Sequence, residues 1–280
     1  MCVFLNDYLY RLFIIMAVSL SQRFRFVFFI SVSVRRVRRN IRWLREKSSL
    51  VWRKLDGELP HVVFKHSSVL VRKLEGVDLQ LQHNKVKNLK IVSEILNGLL
   101  IQPGEKFSLY KLVGKPTIRR GFVNGLELSR GKMKGEIGGG LCQIANMLHW
   151  MILHTDMDVV ERHHHSVDIF PDSGRKVPFG TGATLFYNFK DFVFQNNTNK
   201  TYQLVIFTDD EYLQGRILSS FEDPESYKVF EEAHCFEKNG NDYFRMNQIW
   251  RENLKTGEKK MLFSNKYKTL YTPSVELLST

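Results

Sequence analysis

Gly138-Gly139-Gly140-Leu141-Cys142-Gln143-Ile144-Ala145-Asn146-Met147-Leu148-His149-Trp150-Met151-Ile152 is the stretch around which this chain organises itself. Three glycines, which permit sharp turns and close backbone approach, run into Leu141. From there Ile144, Met147, Leu148, Met151 and Ile152 recur at helical spacing. The pattern predicts a helix of about three turns reaching His154. Cys142 then falls in the first turn, where unpaired N–H groups and the helix dipole favour an anion. Those conditions convert an inert thiol into a thiolate near neutral pH. About twenty residues later Glu161-Arg162-His163-His164-His165-Ser166 offers imidazoles. The nucleophile and the base of a thiol enzyme are therefore both in hand.

Upstream of the glycines, residues 56–83 read as a connecting region with short extended runs at His61–Phe64 and Ser68–Val71. Asn84 is a suitable cap for a helix whose Val86, Leu89, Val92, Ile95, Leu96 and Leu99 share one stripe, with Pro103 and Gly104 ending it. Phe107–Val113 is strand-like, and the glycine- and lysine-rich 115–140 reads as a loop with short strands. Downstream, Val167–Phe170, Ala183–Tyr187, Asp191–Gln195, Tyr202–Thr208 and Tyr212–Leu218 are candidate strands. The last sixty residues add hairpins that turn at Asn239-Gly240-Asn241 and Lys255-Thr256-Gly257. The expected class is α+β: a few helices, one opening at the glycine-rich loop and Cys142, packed on a largely antiparallel sheet built from the C-terminal half.

The net charge of +12 is uneven. Residues 1–54 hold twelve Lys/Arg against Asp7 and Glu46, a net +10, while the remaining 226 residues carry only +2. A nearly neutral body without a recognised binding motif argues against nucleic acid as a partner. The basic segment contains two apolar runs, Leu12–Leu20 and Val27–Val34. Each is too short for a bilayer, which needs about 20 residues, and no small-residue cleavage site follows either. The segment reads either as a helical arm packed on the body or as an interfacial anchor drawn to anionic lipid. Localisation is left between the cytoplasm and the membrane surface.

Cys2, Cys142 and Cys235 make neither a disulfide framework nor a paired zinc motif. Cys235 lies in a strand pattern and reads as a packed residue. For Cys142 the bland reading is a small apolar residue at a buried helix start; the glycines and the histidine cluster favour reactivity. Gly139 and Gly140 would leave one backbone face open to substrate, and Gln143 could donate to an oxyanion or simply face solvent. Arg162 could orient a substrate carboxylate or pair with Glu161. His163 and His165 would share one face of a strand, with His164 opposite and solvated. A zinc site formed by Cys142, His163 and His165 is the weaker alternative. No cofactor is called for. His149 and His154 read as packing and helix-end residues.

Six stretches carry a resemblance to the VanW family, named from an accessory gene of vancomycin-resistance clusters. They are Lys85-Val86-Lys87-Asn88-Leu89, Leu96-Asn97-Gly98-Leu99-Leu100, Pro103-Gly104-Glu105-Lys106-Phe107-Ser108, Gly138-Gly139-Gly140-Leu141-Cys142-Gln143, Glu161-Arg162-His163-His164-His165-Ser166 and Phe194-Gln195-Asn196-Asn197-Thr198. The resemblance covers about half the chain, from Asn84 to Leu218. It implies a link to peptidoglycan and, for some members, cysteine-dependent L,D-transpeptidation of stem peptides. It puts the family cysteine on Cys142 and the family histidine on His165, with Arg162 three residues earlier. Where the family writes Gly-x-Asp-Ala-Thr, this chain has Gly180-Thr181-Gly182-Ala183-Thr184. The orienting acid would then be absent or replaced by Asp168 or Asp191. The expected organisation is a basic segment 1–55, a VanW-like domain 56–218 and a β-hairpin extension 219–280. The expected partner is a peptidoglycan peptide or precursor, and the expected activity is thiol acyl transfer or, failing that, binding without chemistry.

Overall fold

The computed structural model describes residues 25–72, 78–129, 132–164, 167–168, 177–222 and 225–273. The Leu12–Leu20 run, His165, and the Ile169-Phe170 end of the expected strand at Val167–Phe170 lie outside them. Contacts divide the chain into Met1–Ser48 and Ser49–Thr280. The first unit contains the helix α1, Arg25–Arg45.

In the second unit β1 is His61–Val69, followed by α2 (Leu79–Leu96), β2 (Leu99–Ile101), β3 (Lys106–Ser108) and the short α3 (Leu109–Val113). A hairpin of β4 (Asn124–Ser129) and β5 (Lys132–Ile137) leads into α4 (Leu141–Leu153). Then come β6 (Asp158–Glu161), β7 (Val167–Asp168), β8 (Val193–Gln195), β9 (Tyr202–Thr208) and β10 (Tyr212–Ser219). The chain finishes with β11 (Tyr227–Asn239), β12 (Asp242–Asn253) and β13 (Lys259–Thr269). The class is α+β, as the patterning predicts.

One sheet has the order β1-β10-β9-β2 and is antiparallel throughout. A second, β11-β12-β13-β7, is an antiparallel meander to which β7 adds in parallel. β3-β8-β6 forms a small third sheet. The two extended runs expected near residues 61–71 are one continuous strand, bulged between Val62 and Phe64. With β2 at the opposite edge, the first sheet draws both its edges from before the glycine loop rather than from the C-terminal half.

α4 lies at the centre of this unit because it is apolar over most of its surface, with only Cys142, Gln143 and Asn146 left partly or fully exposed. On one side Met147 and Met151 reach β10 at Gly215, where an added Cβ would stand 2.8 and 2.7 Å from their side chains. On the other, Trp150 and Leu153 join Val229 and Ile249 of the second sheet in one cluster. α2 packs on β9 and β4 and buries Leu89, Val92 and Leu96 completely.

Local signals misplace both ends of α2 and the start of α3, in each case because a distant group decides. α2 ends at Leu96, and Leu99, read as part of its stripe, opens β2 on Leu204 of β9 instead of continuing toward Pro103. α2 starts at Leu79, not after Asn84: Asp78 in extended backbone accepts the Gln80 N–H at 2.8 Å. Asn84 instead donates to the Asn124 carbonyl at 2.9 Å, tying α2 to β4. Phe107–Val113 begins as β3 but coils into α3 at Leu109. The Asp191 carboxylate, far along the chain, accepts from the Ser108 hydroxyl at 2.6 Å and the Tyr110 N–H at 3.0 Å. The expected strand at Ala183–Tyr187 joins no sheet: Phe186 makes only an isolated bridge with Lys190, and Tyr187 lies in the turn between them.

Candidate functional site

The glycine loop is built for close packing. Gly138 and Gly140 hold φ of 79° and 103°, where side chains are disfavoured, and Gly140 is the N-cap of α4 without a side-chain cap of its own. A Cβ at Gly139 would collide with the Gly125 carbonyl, and one at Gly140 with the Lys85 side chain. Asn88 of α2, fully buried, fixes the loop by donating to the carbonyls of Val123 (3.0 Å) and Gly139 (2.9 Å) while accepting the Val123 N–H at 2.9 Å. The expectation that the glycines leave a backbone face open to substrate is therefore corrected: hairpin and helix fill that face.

Cys142 is the second residue of α4 and is partly exposed. The segment 181–185 runs alongside the helix and meets it at alternate residues. The His149 Nδ1–H donates to the Thr181 carbonyl at 2.6 Å, the Ala183 N–H donates to Asn146 Oδ1 at 2.6 Å, and the Leu185 N–H points at the Cys142 sulfur. Protein atoms crowd the sulfur, and burial pushes the thiol up to about 11; the Leu185 N–H and the Lys190 ammonium pull the other way, while the Glu127 carboxylate adds to the rise. The resting side chain is a thiol, not the thiolate that the helix start alone predicts. Tyr110 shares this setting, and its hydroxyl is held well above its usual range, first by burial and then by Cys142. Burial, and then Glu136, raises Glu127, against the pull of Lys134.

The histidine stretch lies on the other side of the same segment. The Thr184 N–H donates to the His163 carbonyl at 2.6 Å, one residue from the Leu185 N–H that meets Cys142. The imidazole of His163 turns to Glu161 Oε1 at 2.9 Å, an oxygen that also accepts the Asp191 N–H at 3.1 Å. His164 is exposed and stacks on Tyr267, with ring centroids 4.9 Å apart. His165 lies outside the described residues. Among the described residues no three His, Cys, Asp or Glu side chains gather as metal ligands.

Other expected site residues hold the scaffold together. Arg162 donates to the carbonyls of Gly180 and Gly182 and lies 4.4 Å over the Phe263 ring, clamping the loop onto β13. The Gln143 amide donates to Ser68 Oγ (2.9 Å) and the Val69 carbonyl (2.8 Å), which anchors the helix start to β1. Asp168 is buried, accepting from Arg245 at 3.3 Å and Tyr271 at 2.8 Å. Asp191 caps α3 as described, and Gly182 sits beside Asn146, 3.3 Å from where its Cβ would be. His149 and His154 are packed, as expected. Burial holds them neutral, down to about 3 and about 4, and His154 stacks on Phe64 at 3.7 Å.

Lys85, Glu127 and Lys190 escape a reading of the sequence because nothing local marks them. Lys85 is 8% exposed, lies against Gly140, and is lowered to about 8 by burial and then by Arg72. A lysine inside an amphipathic helix pattern looks like any solvated residue. Only the arrival of the glycine loop, more than fifty residues later, buries it.

Comparison with known proteins follows the same residues. Residues 84–218 match the family described as VanW like protein. The Vancomycin B-type resistance protein VanW of Enterococcus faecalis (strain ATCC 700802 / V583) is 33% identical over 221 residues, covering 77% of this chain and 80% of that protein. The uncharacterized protein YoaR of Bacillus subtilis (strain 168) is 24% identical over 151 residues, covering 54% of this chain and 47% of its own length. No solved structure matches the chain. On a third of residues identical across most of both chains, the protein belongs to the VanW family.

Proposed function

We propose that the chain is a cysteine-dependent acyl-transfer enzyme, L,D-transpeptidase-like or a peptidase, acting on peptidoglycan stem peptides or their precursors. The setting of Cys142 carries this reading: a partly exposed residue at a helix start whose crowded sulfur has the Leu185 N–H and the Lys190 ammonium both favouring its anion. The base is His165, as the family resemblance implies; Glu127 is a second ionisable group acting on the thiol. The base takes the thiol proton as sulfur attacks the peptide carbonyl, and first-turn N–H groups stabilise the oxyanion. Collapse expels the amine with the proton and leaves a thioester. A second amine then gives a cross-link, or water gives an acid, and the thiol is restored. The substrate class is supported by the family's link to peptidoglycan and by the name of the E. faecalis relative, a vancomycin resistance protein.

A second reading, binding of cell-wall peptide without chemistry as an accessory to glycopeptide resistance, is favoured by the thiol's rise to about 11. One experiment separates the two. Purified peptidoglycan is incubated with the unmodified chain or with Cys142→Ala, and muropeptides and bound protein are measured. The enzyme reading expects new cross-linked or hydrolysed muropeptides with the unmodified chain alone, and equal binding by both. Equal binding without any product leaves the binding reading and overturns the enzyme.

A further inference from the structure

α1 has seven arginines and no acidic residue in its 21 positions. Ile30, Val34, Val37, Ile41 and Leu44 follow one another at steps of four and three, which puts them on one stripe of the helix. All five are exposed, at 49, 44, 56, 43 and 73%. Along that stripe the apolar side chains extend roughly 21 Å. Turned by 100° per residue, Arg38, Arg42 and Arg45 fall on one flank of the stripe. Their long stems can lie along apolar surface while the guanidinium reaches outward.

We propose that this stripe docks on the surface of an anionic lipid membrane, with the apolar residues at the headgroup–acyl boundary and the flanking arginines on lipid phosphates. Charge decides among the occupants such a face could take. A spacing of four and three also suits a coiled coil, but a second copy would bring seven more arginines and no carboxylate against the first seven. Nucleic acid would satisfy the arginines and leave the apolar stripe in water. Crossing the membrane is a different case, because no described helix is long and apolar enough to span one. An anionic bilayer surface answers both halves of the pattern: each arginine near it is attracted to the lipid charge, and the stripe supplies apolar burial. The inference stands apart from the chemistry at Cys142.

The test is vesicle flotation of the full chain on phosphatidylcholine alone and on phosphatidylcholine with about 30% phosphatidylglycerol. Partitioning onto the anionic vesicles is expected to exceed that onto neutral ones by at least ~tenfold, and to fall on the order of tenfold when salt rises several-fold. The double variant Val37→Asn, Leu44→Asn should bind the anionic vesicles ~tenfold more weakly, with unchanged thermal unfolding because both side chains are exposed. Arg38→Gln, Arg42→Gln, Arg45→Gln together should remove most of the preference for anionic lipid. Equal binding to both vesicle types, no binding at low salt, or an unaltered Val37→Asn, Leu44→Asn variant would each overturn the proposal. A concentration-dependent oligomer lost in that variant, without loss of flotation, would overturn it in favour of a second copy.

Discussion

Cys142 holds its proton tightly, and this sets what can be expected of it. With the thiol near 11, on the order of one molecule in ten thousand is a thiolate at pH 7. A free cysteine at the same pH has a few per cent. Alkylation of Cys142 by iodoacetamide in the substrate-free protein should therefore climb roughly tenfold per pH unit from pH 7 to pH 10. A rate that levels off below pH 8 would show a thiolate already formed and contradict the buried-thiol account. Under the proposed chemistry, turnover at neutral pH would need a base that acts as the substrate arrives, because the helix start is countered by the crowding around the sulfur. The sequence makes the helix start visible and leaves the crowding hidden. Leu185, Glu127 and Lys190 reach Cys142 only through the fold. Arg162 and Gln143 have the chemistry of substrate-binding side chains in the sequence, yet their donors go to loop carbonyls and to β1.

At the scale of elements, α4 sets the behaviour of its neighbours. His149 and His154 ride on its buried faces and are neutral, because charging them would put a cation among apolar rings. Their folded values, about 3 and about 4, lie below the usual 6.5. The stability they contribute is thus present above pH 6.5 and is lost as pH falls toward 4, at a cost on the order of a few kcal/mol for each. Thermal unfolding followed from pH 7 down to pH 4 should show this loss. His154→Phe, which keeps the ring against Phe64, should reduce the acid sensitivity; a variant as acid-sensitive as the parent would contradict the assignment. α4 itself is legible in the sequence, since Ile144, Met147, Leu148, Met151 and Ile152 sit at helical spacing between a glycine turn and His154. β9 and β10 are equally plain, being seven and eight residues long with a polar turn between them. The start of α2 is not, because Asp78 and Asn84 are both good caps and only the pull of Asn124 on Asn84 distinguishes them. α3 looks like a strand because the carboxylate that caps it, Asp191, comes some eighty residues later.

At the scale of the body, α4 packs against both four-stranded sheets and brings the candidate nucleophile to a corner shared by the hairpin, the 181–185 segment and the histidine stretch. The α+β class follows from the order of the periodic segments, but which segments meet does not. β1 joins β10 across about 150 residues, and the parallel pairing of β7 with β13 spans about 100. Pairings at that range are fixed by packing rather than by local pattern. The basic N-terminal charge, also plain in the sequence, gains meaning from the fold, because only the helical geometry of α1 sorts its apolar residues into one exposed stripe. The proposed chemistry requires Cys142 to form a covalent bond with a peptide. Intact-mass spectrometry of the full chain, quenched in acid after brief exposure to a peptidoglycan stem peptide, tests it most directly. The expected result is an adduct of the acyl portion of that peptide, localised to Cys142 by digestion, labile to hydroxylamine and absent from Cys142→Ala. An unshifted mass under conditions where the peptide is bound would contradict it.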